Sequence, residues 1–323
     1  MRKLNIKAFR EMGVLIVLVV ICILLAIAAP VFLKTANIIN VVRQTVEIGI
    51  MAIGMTFLIV CGEMDLSVGS IFGSTAMLAA YIFKFSTKMQ SATVVFVITL
   101  LAGGLIGAFN GMLVTKMRVP AFIATLGTMQ IFRSVAYSIS GGISISVFPE
   151  WATESWVFKM GANIGKLPVQ VIIMLVLFVI AHIILKKTKF GFEVYATGGN
   201  MRAAQLAGIN TGKIKLICFI VSGMLTALSG MISIAYLKSV PTTAGSSREM
   251  DVIAAVILGG AALSGGRGTM LGTFLGAIIM SVVKNGMVLL RVPVFWQSGF
   301  IGVIIIFAVL LDTWIGQIEK KRA

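Results

Sequence analysis

Two carboxylates stand close together between apolar runs, in the string Gly62-Glu63-Met64-Asp65-Leu66-Ser67-Val68-Gly69-Ser70. Ionisable groups bordering hydrocarbon are costly to keep there, which makes them functional candidates by default. Asp65 or Ser67 also suits the cap of a following helix, because a side-chain oxygen at that point satisfies an orphan backbone N–H. Capping is the stronger reading of this string. A second group of polar residues falls inside apolar runs: Asn110, Gln130, Arg133, Lys284 and Asn285. Such residues face a bundle interior or a water-filled path. The bland alternative is hydrogen bonding between helices for the amides and snorkelling for Lys284. Arg133 suits path lining and structural pairing equally. Asp65, Ser67, Asn110, Gln130, Arg133 and Asn285 are therefore the candidates for a polar path through the molecule.

Other chemistries are missing from the string. No G-x-x-x-x-G-K-[ST] occurs, since Gly165-Lys166 and Gly212-Lys213 lack the upstream glycine and the hydroxyl residue. There is no H-E-x-x-H and no G-x-S-x-G. Cys22, Cys61 and Cys218 lie in or beside apolar runs without metal-ligand spacing, and His182 stands alone at the end of one. The residues thus encode no nucleotide hydrolysis, no covalent chemistry, no metal site and no cofactor site. No chain of Asp, Glu and His follows the apolar runs as a proton relay requires. Uphill transport by such a chain draws its energy from an ion gradient or from a partner, and the missing relay favours a partner.

A third string could receive that partner. Between Lys186 and Lys215 lies the longest basic stretch, and within it Asn200 suits an N-cap, Met201–Ala207 are helix formers and Gly208 suits the position after the last turn. The pattern predicts a helix of two turns flanked by glycines. Lying on a membrane surface is the plain role for such a helix. Its small residues Ala203, Ala204 and Ala207, set between Gly199-Asn200 and Gly208-Ile209, instead offer a knob for a groove on another protein.

The elements that position these strings follow from composition. Of 323 residues 59% are hydrophobic and 12% charged, against about 25% charged in ordinary soluble domains. The mean hydropathy is +1.05. A bilayer hides that much apolar surface where a single soluble core does not. Runs long enough to span occur at 13–33, 42–61, 66–83, 92–115, 120–140, 169–185, 214–237, 250–266, 270–290 and 296–312. The short joins near 62–66 and 266–270 also fit broken or re-entrant helices. Fold class is therefore all-α and polytopic, one transmembrane domain of about ten helices over residues 1–323.

The net charge of +16 sits in short tracts between these runs, as topology signals do, with no basic patch for nucleic acid. With the N-terminus inside, sixteen of the 27 basic residues fall in cytoplasmic segments, nine outside and two, Arg133 and Lys284, in spans. Both termini are then cytoplasmic, as an even number of spans requires. The loop 186–215 lies inside and the segment 141–168 outside, its Trp151 and Trp156 expected in an interfacial aromatic belt. Apolar character from Gly13 to Leu33 exceeds a secretory signal core, so the first run reads as an uncleaved span.

Three blocks carry a resemblance. Cys61–Ser70 is similar to G-G-I-D-L-S-V-G-S, and Phe190–Gly208 to a cytoplasmic loop of the form F-G-R-x-x-Y-A-x-G-G-N-x-x-A-A-x-x-x-G-I. Glu249–Gly260 followed by Leu263-Ser264-Gly265-Gly266-Arg267-Gly268 matches a third block. In this order the blocks resemble the membrane permease subunits of bacterial ATP-binding-cassette importers for simple sugars, the ribose, xylose and rhamnose type. Glu63 and Phe192 depart from that pattern. The resemblance implies a cytoplasmic-membrane permease, working as a dimer of identical or paralogous copies. It further implies two cytoplasmic ATPase subunits, an external solute-binding protein that delivers a sugar, and a coupling role for Asn200–Gly208. Pro120–Thr128 and Leu289–Trp296 are similar to permeases for rhamnose and for the signalling molecule autoinducer-2. Permeases for nucleosides or branched-chain amino acids share a distant architecture, and an ion-coupled transporter is the reading from another class, with Gly62–Ser70 as its broken helix. An intramembrane lipid enzyme lacks any acid, base or metal cluster.

Overall fold

The structure, a computed structural model, describes residues 6–86, 90–165 and 167–322. The basic residues Arg2, Lys3, Lys88 and Lys166, which contribute to the charge asymmetry, lie outside the described residues. Fourteen helices are described, α1 (Ile6–Ala28), α2 (Thr35–Val60), α3 (Val68–Phe85), α4 (Ala92–Thr115), α5 (Ala121–Ser140), α6 (Glu150–Thr153), α7 (Trp156–Lys159), α8 (Val169–Lys187), α9 (Lys189–Gly199), α10 (Met201–Leu206), α11 (Thr211–Leu237), α12 (Arg248–Leu258), α13 (Met270–Leu289) and α14 (Val294–Arg322). Six of them, α2, α3, α4, α8, α11 and α13, are long and apolar enough to cross a bilayer. Shorter apolar stretches, Met12–Ala28 and Val294–Phe307, lie in α1 and α14.

Beyond Glu47 the helix α2 is apolar on nearly every side, and a helix of that kind belongs in the middle of a bundle. It is buried almost without interruption from Thr45 to Cys61, with α8, α11, α12 and α13 packed around it. By contrast α4 has two faces. Val94, Val97, Leu101, Leu105 and Phe109 are exposed on one, and Gly103, Gly107, Asn110 and Gly111 are buried on the other. The glycine face meets α11 so closely that a Cβ on Gly103 would lie 2.4 Å from the Gly223 carbonyl oxygen. Small residues let helix backbones approach where lipid offers no competing hydrophobic drive.

One expected span is cut short. The apolar run 250–266 predicts a full crossing, but α12 has only 11 residues, about 16 Å of helix against a core of roughly 30 Å. Its C-terminal half is ended by Gly259 and Gly260, and residues 259–269 form a tight irregular connection to α13. The segment ahead of α12 is irregular too. Its strand β4 (Ser239–Val240) pairs antiparallel with β1 (Ile145–Ser146), tying it to the 141–168 segment. In that same segment β2 (Asn163–Ile164) pairs with β3 (Leu167–Pro168).

Trp151 is half-buried. It packs on Phe83, ring centroids 5.8 Å apart, in a cluster with Phe148 and Phe158 that covers one end of α3. Trp156 remains 45% exposed, stacked edge-on against Phe96 and donating to the Thr93 hydroxyl at 3.1 Å.

Candidate functional site

The break between α2 and α3 is built from its own polar residues. Asp65 is fully buried, and its Oδ1 accepts from the Ser67 backbone N–H at 2.8 Å and from Ser67 Oγ at 2.6 Å. Asn110 of α4 donates to Ser67 Oγ at 2.8 Å, and the Leu66 N–H donates to Thr125 Oγ1 of α5 at 3.1 Å. Backbone groups freed by a helix break inside apolar surroundings need such partners. Asp65, Ser67 and Asn110 therefore come together as one knot. Ser67 stands at the N-cap position of α3, but its side chain is held by Asp65 and makes no capping bond, so the expected side-chain cap is not formed. The neighbouring Glu63 pairs with Lys215 of α11 at 2.5 Å.

The second break, 259–269, meets the first. The Gly266 N–H donates to the Val60 carbonyl at 2.8 Å, the last turn of α2. Above both lies α9, whose Tyr195 hydroxyl donates to the Gly268 carbonyl at 2.6 Å. Burial pushes the Tyr195 phenol above its ordinary range, so it stays protonated and keeps donating. Contact is backbone to backbone at Gly198, where a Cβ would sit 1.9 Å from the Val60 carbonyl oxygen. The helix α9 was not predicted, since Gly191, Thr197, Gly198 and Gly199 give it poor intrinsic propensity. Seating on the two breaks and a cap at Thr188, whose Oγ1 accepts from the Gly191 N–H at 3.2 Å, override that.

Beyond Gly199 the chain turns into α10. Asn200 Oδ1 accepts from the Ala203 N–H at 3.0 Å, capping the start. At the end Gly208 takes φ +83°, its N–H donating to the Gln205 carbonyl and the Ile209 N–H to the Ala204 carbonyl, the two hydrogen bonds of a left-handed C-terminal cap. The helix is one residue shorter than the predicted Met201–Ala207. The alanines divide between two sides: Ala204 is 4% exposed and Ile209 half-buried, whereas Ala203 and Ala207 are exposed. Sequence reasoning missed Leu206, which is 86% exposed and is the largest apolar group on the free side. A leucine two residues before the cap glycine, among alanines, was the available signal.

Elsewhere the candidates separate. Arg133 Nη1 of α5 donates to the Ala244 carbonyl at 2.6 Å, pinning the irregular segment ahead of α12. Gln130 is exposed on α5, in line with Ser134 and Ser138 at four-residue spacing. Asn285 exchanges amide hydrogen bonds with Asn37 of α2 at 3.0 and 2.9 Å. Lys284 does not snorkel. It pairs with Asp251, which is 1% exposed. A further pair was missed altogether: Arg248 Nη2 meets Glu47 Oε2 at 2.5 Å, and Ser233 Oγ donates to Glu47 Oε1 at 2.8 Å. An acid near the start of the run 42–61 was its sequence signal.

Comparison with known proteins decides what this architecture belongs to. The family described as "Branched-chain amino acid transport system / permease component" matches residues 37–309. The chain belongs to this permease family. It is a transport component, not an enzyme, and a multi-pass protein of the cytoplasmic membrane. The ribose import permease of Escherichia coli K12 is 40% identical over 303 residues, 94% of this permease and 93% of that one. That of Haemophilus influenzae is 39% identical over 302 residues, covering 93% and 92%. A xylose transport permease from the same species is 34% identical over 339 residues, covering 87% and 90%. No solved structure matches the permease.

Proposed function

We propose that this permease forms half of an ATP-driven importer for a monosaccharide, that it crosses the membrane ten times with both termini cytoplasmic, and that a cytoplasmic ATPase drives it through α10. The observation that carries the reading is the seating of α9 and α10. One side of this pair is welded to both helix breaks, and the other presents Ala203, Leu206 and Ala207 with nothing covering them. A partner that moves α10 moves the breaks at Gly62–Ser67 and Gly259–Thr269 with it. Rigid-body tilting of packed helices is how such motion changes access to a central path.

Identity of 39–40% to ribose import permeases over more than nine-tenths of the length supports a sugar over a branched-chain amino acid as the solute, although the family description names the latter. An external binding protein delivers the sugar, and a second permease copy or paralogue completes the path. The face of α5 carrying Gln130, Ser134 and Ser138 is polar and uncovered, and it suits the path between two copies. Asp65, Ser67 and Asn110 act as the hinge of that path, and Arg133 and Asn285 as its bracing.

The test is uptake by proteoliposomes holding the permease, its ATPase and its binding protein. ATP-dependent accumulation of ribose or another monosaccharide, with no accumulation of leucine, is expected. Leucine accumulation without any sugar uptake would overturn the solute class.

A further inference from the structure

Between α2, α11, α13 and the irregular segment Pro241–Arg248 lies a cavity of about 440 Å³. We propose that this cavity is a binding site for a neutral polyhydroxylated solute, built by one protomer alone. The inference rests on the sugar reading above and names a site for that solute.

Size fits first, since small-molecule sites run from about 300 to 1,000 Å³. The polar lining comes from Gln44, Thr243, Ser246, Arg248, Lys284 and Gln297. Both cations on this wall are already neutralised, Arg248 by Glu47 and Lys284 by Asp251. A site whose charges cancel pairwise offers no free charge to an anionic or cationic ligand. What it offers is spare hydrogen-bonding capacity: a guanidinium has five N–H donors and an ammonium three, and one contact to an acid leaves the rest. Gln44, Thr243 and Ser246 are exposed, so their amide and hydroxyl groups are free to exchange water for solute hydroxyls. Leu237 and Val288, both exposed in the lining, supply an apolar wall for the C–H face of a sugar ring.

Stapling of helices explains the ion pairs but not this lining. The two pairs join α2 to α12 and α12 to α13, whereas Thr243 and Ser246 make no staple. Intramembrane charge is tolerated where it serves a path. Arg133, which holds Ala244, braces the same segment from the α5 side.

Thiol protection tests the site in the full transporter in cells. Cys61 and Cys218 are buried, so Thr243→Cys and Ser246→Cys are each introduced beside Cys22→Ser. A small charged thiol reagent is added from outside, with and without a saturating monosaccharide that the wild type takes up. Both cysteines should label, and the sugar should slow labelling at least threefold while leucine does not. Gln44→Ala should raise the apparent KM for uptake at least threefold with unchanged membrane level. Uptake of the sugar without protection at either cysteine would overturn the cavity and leave the sugar reading standing. Failure of both positions to label, or protection by leucine instead, would overturn it as well. Wild-type transport of no sugar at all would remove the sugar reading itself.

Discussion

Lys215 joins two parts of the permease that the chain keeps far apart. Its Nζ pairs with Glu63 in the first break and lies 3.6 Å from Met201 Sδ at the start of α10. The side chains are 15% and 12% exposed, between a surface and a buried pair. Breaking such a pair costs about 1–3 kcal/mol, because the remaining charge loses its partner in a poorly solvated place. Glu63→Gln should therefore lower the melting temperature by a few degrees and reduce uptake several-fold, with ATPase binding retained. The exchange Glu63→Lys with Lys215→Glu should restore much of both. Uptake by Glu63→Gln equal to wild type would show that the pair transmits nothing. Local partnerships of this kind are legible in the sequence when they are short. Asp65 with Ser67 is two residues apart and could be read as a cap. Glu63 with Lys215, and Glu47 with Arg248, are separated by 152 and 201 residues, and nothing in one string points to the other.

Six residues of helix are far too few to be stable alone, so α10 exists because its ends and one side are held. Its two caps were readable in advance, being contacts within a few residues, but which side is held was not. Ala204 faces inward and Leu206 outward, a distinction that only the seating on α9 and α11 makes. Two substitutions one turn or less apart should consequently fail in different ways. Leu206→Asp should leave membrane level and thermal stability unchanged, while abolishing ATPase co-purification and lowering uptake more than tenfold. Ala204→Arg should instead lower the amount of folded permease, because a guanidinium has no room beneath the helix. Normal uptake by Leu206→Asp would remove α10 as the driven element. The same reasoning explains the misread span. An apolar run reports surroundings, not helix length, and Ala261, Ala262 and Leu263 stay apolar in the irregular connection after α12. Poor local propensity hid α9 for the opposite reason, since its glycines are there to let Val60 and Gly266 approach.

At the scale of the whole molecule, a short α12 raises the question of whether the chain still crosses there. Its flanks answer through their partners. Val240 pairs with Ile145, in the segment that covers the Phe83 end of α3. Gly266 bonds to Val60, at the end of α2 where α9 and α10 lie. Those two ends are opposite, so the chain between 240 and 266 passes from one to the other, half as irregular segment and half as α12. Counting this passage gives the ten crossings proposed above, with α13 leaving from the α10 end and α14 returning to it; that count is the proposal the fusions test. Omitting it would invert α13 and put the C-terminus on the far side from α10. Fusions decide between the two. A fluorescent protein after Ala323 should fluoresce, since it folds only when kept in the cytoplasm, and alkaline phosphatase fused within 141–168 should be active. A cysteine at Lys189, tested in the same background as Ser246→Cys, should be shielded from an impermeant reagent in intact cells and labelled once they are opened. Phosphatase activity from a C-terminal fusion would reduce the crossings to an odd number and leave α12 as a re-entrant helix.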